Sequence, residues 1–289
     1  MTNHSTWLTK GEQAGQRYVF GAMQQRQWGR SGSILGKRAG SSMDFREHRE
    51  YQPGDDLRRL DWGAYARSDK LILKVYQEEI HPTLDILVDG SRSMALEHSA
   101  KEEATLGAAA LLAAAGIRSG YSHRVWWAQE GCHPLPNGTA PPSLWQGTRF
   151  DLVTNPQDAL HFAPPRWPSQ GLRVVVSDLL WQGDPLTFLT MLGQQASLVV
   201  VVQVLARQDV EPPTSGLLRL VDSETGEEQE VQMNADSARR YKEAFARHQE
   251  YWRLAARQTG THLTTLVAED FVQDWRLDEL VATEVLQVR

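Results

Sequence analysis

The residues best equipped for chemistry stand together at Asp89, Ser91 and Ser93, in the run Leu84-Asp85-Ile86-Leu87-Val88-Asp89-Gly90-Ser91-Arg92-Ser93-Met94. An apolar, β-rich stretch stops at one carboxylate and two hydroxyls on alternate residues. Alternate positions in a tight strand-to-helix turn can aim their oxygens at one centre. A set made only of oxygens suits a hard divalent cation such as Mg²⁺. A purely local account competes with this one, because Asp and Ser at strand ends commonly close a turn or cap the next helix. The spacing alone leaves both open.

A strand that ends at Asp89 needs a sheet around it. Leu84–Val88, Leu172–Ser177 and Ser197–Leu205 are mostly apolar runs of strand length, the pattern of strands covered on both faces. His123–Gln129 and Thr261–Val267 read as further strands. Helices are expected over Ser99–Arg118, over Asn155–Phe162 and from Pro185 to about Gln195, the last capped by Asp184. A long helix is expected over Ala235–Thr259, stopped by Gly260, and a final one over about Phe271–Thr283. Strands alternating with helices predict an α/β fold, a mostly parallel sheet with helices on both faces. Ligands of such sheets sit beyond the carboxyl ends of the strands. Asp178, directly after Leu172–Ser177, takes the same place as Asp89. Residues 131–148 read as loop. Gly216–Met233 reads as a hairpin, a smaller β-rich accessory, with Leu217–Val221 returning as Glu228–Gln232 around a turn at Glu224–Gly226.

The 289 residues carry 41% hydrophobic and 23% charged side chains, ordinary for a globular protein. A net charge of −6 gives no general nucleic-acid footprint. Cys132 is the only cysteine, which excludes an intramolecular disulfide and fits a reducing compartment. Met1–Lys10 lacks the apolar core of a signal peptide, and Leu198–Leu205 is too short to span a bilayer, so the expected location is the cytoplasm. Residues 1–80 are expected to form an arm and a charged module. The arm has Tyr18, Val19 and Phe20 as an apolar anchor. Residues 81–289 are expected to form the sheet domain, with the hairpin inserted at about 209–234. Residues 36–80 hold nine basic and nine acidic side chains around a turn at Gln52–Asp55, which points to interlocked ion pairs.

Two resemblances extend these readings. The order Asp89-x-Ser91-x-Ser93, then Gly147-Thr148 in a loop after the second strand, then Asp178, resembles the metal-ion-dependent adhesion site of von Willebrand factor A domains. It implies a von Willebrand A-like (Rossmann-like) fold. It also implies that Asp89, Ser91, Ser93, Thr148 and Asp178 hold Mg²⁺, or else Mn²⁺ or Ca²⁺. In such domains the ion usually binds a partner's carboxylate and does no chemistry. Ahead of the first buried strand stand Asp44-Phe45-Arg46, Tyr51-x-Pro53-Gly54-Asp55-Asp56, Arg58-x-x-Asp61-Trp62, Ala66-Arg67 and Lys70-Leu71. These resemble the signature of the bacterial family known as domain of unknown function fifty-eight. Asp89-x-Ser91-x-Ser93-Met94 and Asp222-Ser223-Glu224-Thr225-Gly226 fit it as well. Members are often encoded beside MoxR-type AAA+ ATPases. The resemblance therefore implies an adaptor or assembly partner of such an ATPase, with a client protein supplying a carboxylate to the ion.

Arg46, Arg49, Arg58, Arg59 and Arg67 have two readings. They pair with Asp44, Asp55, Asp56 and Asp61 to hold the N-terminal module on the sheet domain, or they form a docking surface for an acidic partner or phosphate. Trp145 and Trp181 flank the expected metal face, either as interface or as core. No His-Glu-x-x-His, phosphate-binding Gly-x-x-x-x-Gly-Lys-Ser/Thr or Gly-x-Ser-x-Gly motif occurs in the sequence. The expectation is a metal-dependent binding protein and no enzyme. The alternatives are a hydrolase whose carboxylates and ion activate water, and a structural module with an empty site.

Overall fold

A computed structural model describes residues 4–21, 43–78, 82–223 and 226–289, without the side chains of residues 43–47, 59 and 75–78. Glu224 and Thr225 of the expected hairpin turn, and the side chains of Asp44, Arg46 and Arg59, lie outside the described residues. The chain divides into two units, one of residues 1–27 with 82–289 and one of residues 28–81. The described residues 4–21, expected to belong with the charged module, thus group with the sheet.

The elements run as α1 (His4–Gly15), β1 (Tyr18–Phe20), β2 (Met43–Glu50), α2 (Trp62–Ser68), β3 (Ile72–Glu78), β4 (Thr83–Asp89) and α3 (Lys101–Arg118). They continue as β5 (Ser122–Gln129), β6 (Gly131–Pro134), α4 (Pro156–Phe162), β7 (Leu172–Ser177), α5 (Pro185–Gly193), β8 (Leu198–Leu205) and α6 (Arg207–Val210). The last are β9 (Gly216–Val221), β10 (Glu228–Met233), α7 (Ala235–Thr259), β11 (His262–Val267), α8 (Ala268–Asp274), α9 (Asp278–Ala282) and β12 (Leu286–Val288).

The three apolar runs form the middle of a six-stranded sheet in the order β11-β8-β7-β4-β5-β6. All neighbours are parallel except β6, which returns antiparallel along β5. Counted by chain order from β6, this is the doubly wound order 3-2-1-4-5-6, whose direction reverses between β4 and β7. Ligand crevices form at that reversal, and Asp89 and Asp178 end the two strands that flank it.

Side chains along the central strands alternate between two cores. Ile86, Val88, Val174, Val176, Val200 and Val202 pack with α3 and α8 on one face. Leu87, Val175, Val199 and Val201 pack with Phe188 and Leu189 of α5 and Trp252 of α7 on the other. Helix α7 runs as the sequence predicts, with Asn234 capping its start and Gly260, at φ 67°, ending it. The β9–β10 hairpin pairs Val221 with Glu228 as expected.

Three expectations change. The loop expected at 131–148 contains β6 and a short 3₁₀ turn at Pro142–Leu144. The single final helix is two, because Trp275 adopts φ 57° and ends α8. The arm is a helix and a strand. Tyr18, Val19 and Phe20 are buried in β1, which pairs with β12.

Helix α1 escapes a hydrophobic-periodicity search because it docks on α3 through small residues. A Cβ on Gly11 would lie 2.3 Å from the Gly107 carbonyl oxygen, and one on Gly15 would lie 2.4 Å from that of Leu111. Both obstacles are backbone, so neither helix can yield without separating. Gly11→Val is expected to destabilise the protein by about 1–3 kcal/mol and to open residues 4–15 to proteolysis. An unchanged unfolding midpoint would contradict this packing.

Candidate functional site

Strand β4 is buried from Leu84 to Val88, so its path is set by the sheet and Asp89 emerges at the carboxyl edge with 1% exposure. The turn that follows is closed by the Ser91 N–H, which donates to Asp89 Oδ1 at 3.0 Å. Ser177, the last residue of β7, donates its hydroxyl to Asp89 Oδ2 at 2.5 Å. The Ser91 and Ser93 hydroxyls lie 3.0 Å apart. Asp178 accepts the Leu180 N–H on Oδ1 at 3.0 Å, and Gln203 on β8 donates to its carbonyl at 2.8 Å.

The cluster holds a cation of its own. Lys101, the first residue of α3, is 1% exposed and turns its ammonium inward. Its Nζ lies 2.7 Å from Asp178 Oδ2 and 3.6 Å from Asp209 Oδ2. Asp209 follows β8 in α6, where its Oδ2 accepts the Ala206 N–H at 2.8 Å. Strand ends β4, β7 and β8 therefore each contribute one aspartate, directly or through the next turn. A cleft of about 400 Å³ opens above them, with Ser91, Ser93, Lys101, Asp178 and Asp209 in its wall and Trp181 beside them.

Burial sets the protonation of this group. Loss of water, followed by repulsion from Asp178, pushes the Asp89 carboxyl up to about 7. Burial likewise raises Asp209, against the pull of the Lys101 ammonium. Burial also works against the charge on Lys101, but Asp178, Asp209 and Asp89 outweigh it and move its value upward. The ammonium stays charged, and the aspartates share it.

Of the five residues expected to hold a metal, the structure gathers four. Asp89, Ser91, Ser93 and Asp178 meet at the strand ends, but Thr148 does not join them. Its hydroxyl bonds His4 Nδ1 at 2.7 Å, and His4 Nε2 in turn meets Glu102 Oε1 at 2.6 Å. The threonine is thus engaged with α1, an element the sequence did not reveal. Among the described residues, no three or more His, Cys, Asp or Glu side chains are placed to share a metal ion. With Lys101 already against Asp178 and Thr148 turned to His4, the donor set as it stands does not fit a resident divalent ion.

The expected partner-binding residues also separate. Trp145 is core: it is 6% exposed and donates to the Ala140 carbonyl at 2.9 Å. Trp181 does face the cleft, wedged edge-on between Phe188 and Trp252, each 5.6 Å away by ring centroid. In the charged unit, Arg49 pairs with Asp55 at 2.8 Å. Asp56 accepts the Arg58 N–H at 3.0 Å. Asp61 is held by His48 at 2.9 Å and Lys74 at 3.5 Å, and it caps α2 through Gly63 and Ala64. The Ala64 N–H and then His48 draw its carboxyl down to about 2. Arg58 and Arg67 are exposed.

Sequence reasoning missed Lys101, Ser177 and Asp209. The strand-end rule that found Asp178 reaches Asp209 as well, four residues past Leu205. Lys101 gave a fainter signal, as the one cation at the start of a helix that is otherwise alanine and leucine on nearly every face.

The chain is 27% identical over 265 residues to an uncharacterized protein of Mycobacterium bovis and, equally, to one of Mycobacterium tuberculosis, covering 86% of this chain and 80% of theirs. Among solved structures, it is similar to the conserved hypothetical protein BatB of Bacteroides thetaiotaomicron, at 11% identity and TM-score 0.32, over 67% of this chain and 97% of that one. It is also similar to an aerotolerance-related membrane protein of Bacteroides fragilis, at 14% identity and TM-score 0.35, over 71% of this chain and 98% of that one. The expected cytoplasmic location does not stand. It rested on the lack of a targeting or spanning segment, and such an absence does not carry it. Among the described residues no helix is long and apolar enough to cross a membrane, which assigns no compartment. Residues 47–251, well over half of the chain and including the whole strand-end cluster, match the family described as protein of unknown function DUF58, and the chain belongs to that family.

Proposed function

We propose that this chain is a protein-recognition module whose binding surface is the cleft at the carboxyl ends of β4, β7 and β8. The observation that carries this reading is the make-up of the cleft. Leu96, Val153, Leu180, Trp181 and Val221 line it together with hydroxyls and the charges gathered at Lys101. Apolar contact around satisfied polar groups is what interface cores bury. Lys101 offsets part of the negative charge of the floor, which lowers the cost of covering it. The partner that the family resemblance implies is a MoxR-type AAA+ ATPase, with this chain as its adaptor or assembly partner. A client carboxylate bridged by a divalent ion is not part of the proposal, because Lys101 already neutralises Asp178.

Leu180 and Val221 are 38% and 55% exposed, so polar replacements there leave the core intact. Titration of the purified ATPase into the labelled chain is expected to show binding that Leu180→Asp or Val221→Asp weakens at least about tenfold, or roughly 1.4 kcal/mol. Unchanged affinity in both folded variants would move the surface elsewhere.

A further inference from the structure

The strand-end cluster raises a question that partner recognition does not answer, namely which cation belongs there. We propose that the Lys101 ammonium occupies the place a divalent ion would take, so that the wild-type cleft works without metal and admits one only when this side chain is removed. The proposal concerns the ion alone and stands or falls separately from the identity of any partner.

Three observations carry it. First, the side-chain oxygens of the two strand-end aspartates already accept bonds from the chain itself. Asp89 takes the Ser91 N–H and the Ser177 hydroxyl, and Asp178 takes the Leu180 N–H and Lys101 Nζ. Second, nothing local favours an ammonium at this position. Lys101 begins a helix, where the backbone dipole disfavours positive charge, and burial to 1% exposure disfavours it again. Its inward position is therefore maintained by Asp178 and Asp209, at 2.7 and 3.6 Å. Third, the ammonium and a metal ion would compete for the same carboxylate, because Lys101 Nζ already lies 2.7 Å from Asp178 Oδ2. A metal ion reaching the Asp178 carboxylate would meet the ammonium at close range, so the two cations exclude each other. Without the lysine, two buried carboxylates, a third nearby and two hydroxyls remain, an oxygen-only set for a hard ion.

The test is uptake of Mn²⁺ by the full chain, followed by the loss of the free-ion resonance signal and by the unfolding midpoint, for wild type, Lys101→Gln and Lys101→Ala. The expected result is no saturable uptake by wild type up to millimolar Mn²⁺, and uptake of about one ion per chain by the variants. In the variants the midpoint should rise with the logarithm of ion concentration. If the variants are unfolded without metal, recovery of their fold on adding Mn²⁺ supports the proposal, and failure to recover overturns it. Saturable uptake by wild type that Asp178→Asn abolishes overturns it, as does a folded Lys101→Gln that takes up no ion.

Discussion

Lys101→Ala is expected to lower the unfolding free energy by roughly 3–5 kcal/mol, among the largest losses available to a single substitution in this chain. Lys101 and Asp178 are 1% and 2% exposed and sit 2.7 Å apart. Removing the ammonium strands the buried Asp178 beside Asp89 and Asp209 with no cation. The loss should be smaller when Asp178→Asn is combined with it, because the stranded charge goes too. The combined loss should fall well short of the sum of the two single losses. Denaturant titration of the four proteins measures this. Additive losses would mean that the pair is not coupled and that the ammonium is oriented by something else.

Trp252→Ala is expected to cost about 3–5 kcal/mol as well, by a different route. Its indole is 1% exposed and fills the space between α7 and the sheet, packed edge-on against Trp181 and Phe188 at 5.6 and 5.9 Å. Truncation leaves a cavity whose walls belong to two helices and a strand, which cannot close together. It also removes the surface that holds Trp181 at the cleft wall, so binding to a partner should weaken along with stability. A loss below about 1 kcal/mol would mean that α7 is not anchored through this residue. Phe188→Leu, which shrinks the same cluster without emptying it, should cost less.

The sheet was legible because its central strands are buried on both faces and so read as runs that are apolar but for Asp85, Arg173 and Gln203. Their ends then placed Asp89 and Asp178 without any knowledge of packing. Helix α7 was legible because its cap and its glycine are local signals. Helix α1 was not, since Gly11, Ala14 and Gly15 bury almost no side chain and acquire meaning only against Gly107 and Leu111 of α3. The misplacement of Thr148 follows from the same gap, because its partner His4 lies on that unseen helix. Lys101 was hidden for another reason. A lysine at a helix end ordinarily reaches for solvent, and only the convergence of three strand ends makes it turn inward. The residue that most alters the chemistry of the site is thus the one whose role depends on contacts 77 and 108 positions along the chain, at Asp178 and Asp209.

The cleft as a recognition surface is tested most directly by amide hydrogen exchange of the chain alone and with the purified ATPase. The account predicts slowed exchange at residues 91–96, 178–181 and 221–223, which line the cleft, with the rest of the sheet unchanged. Protection confined to residues 43–78, the charged unit carrying the exposed Arg58 and Arg67, would contradict it and place the docking surface there instead.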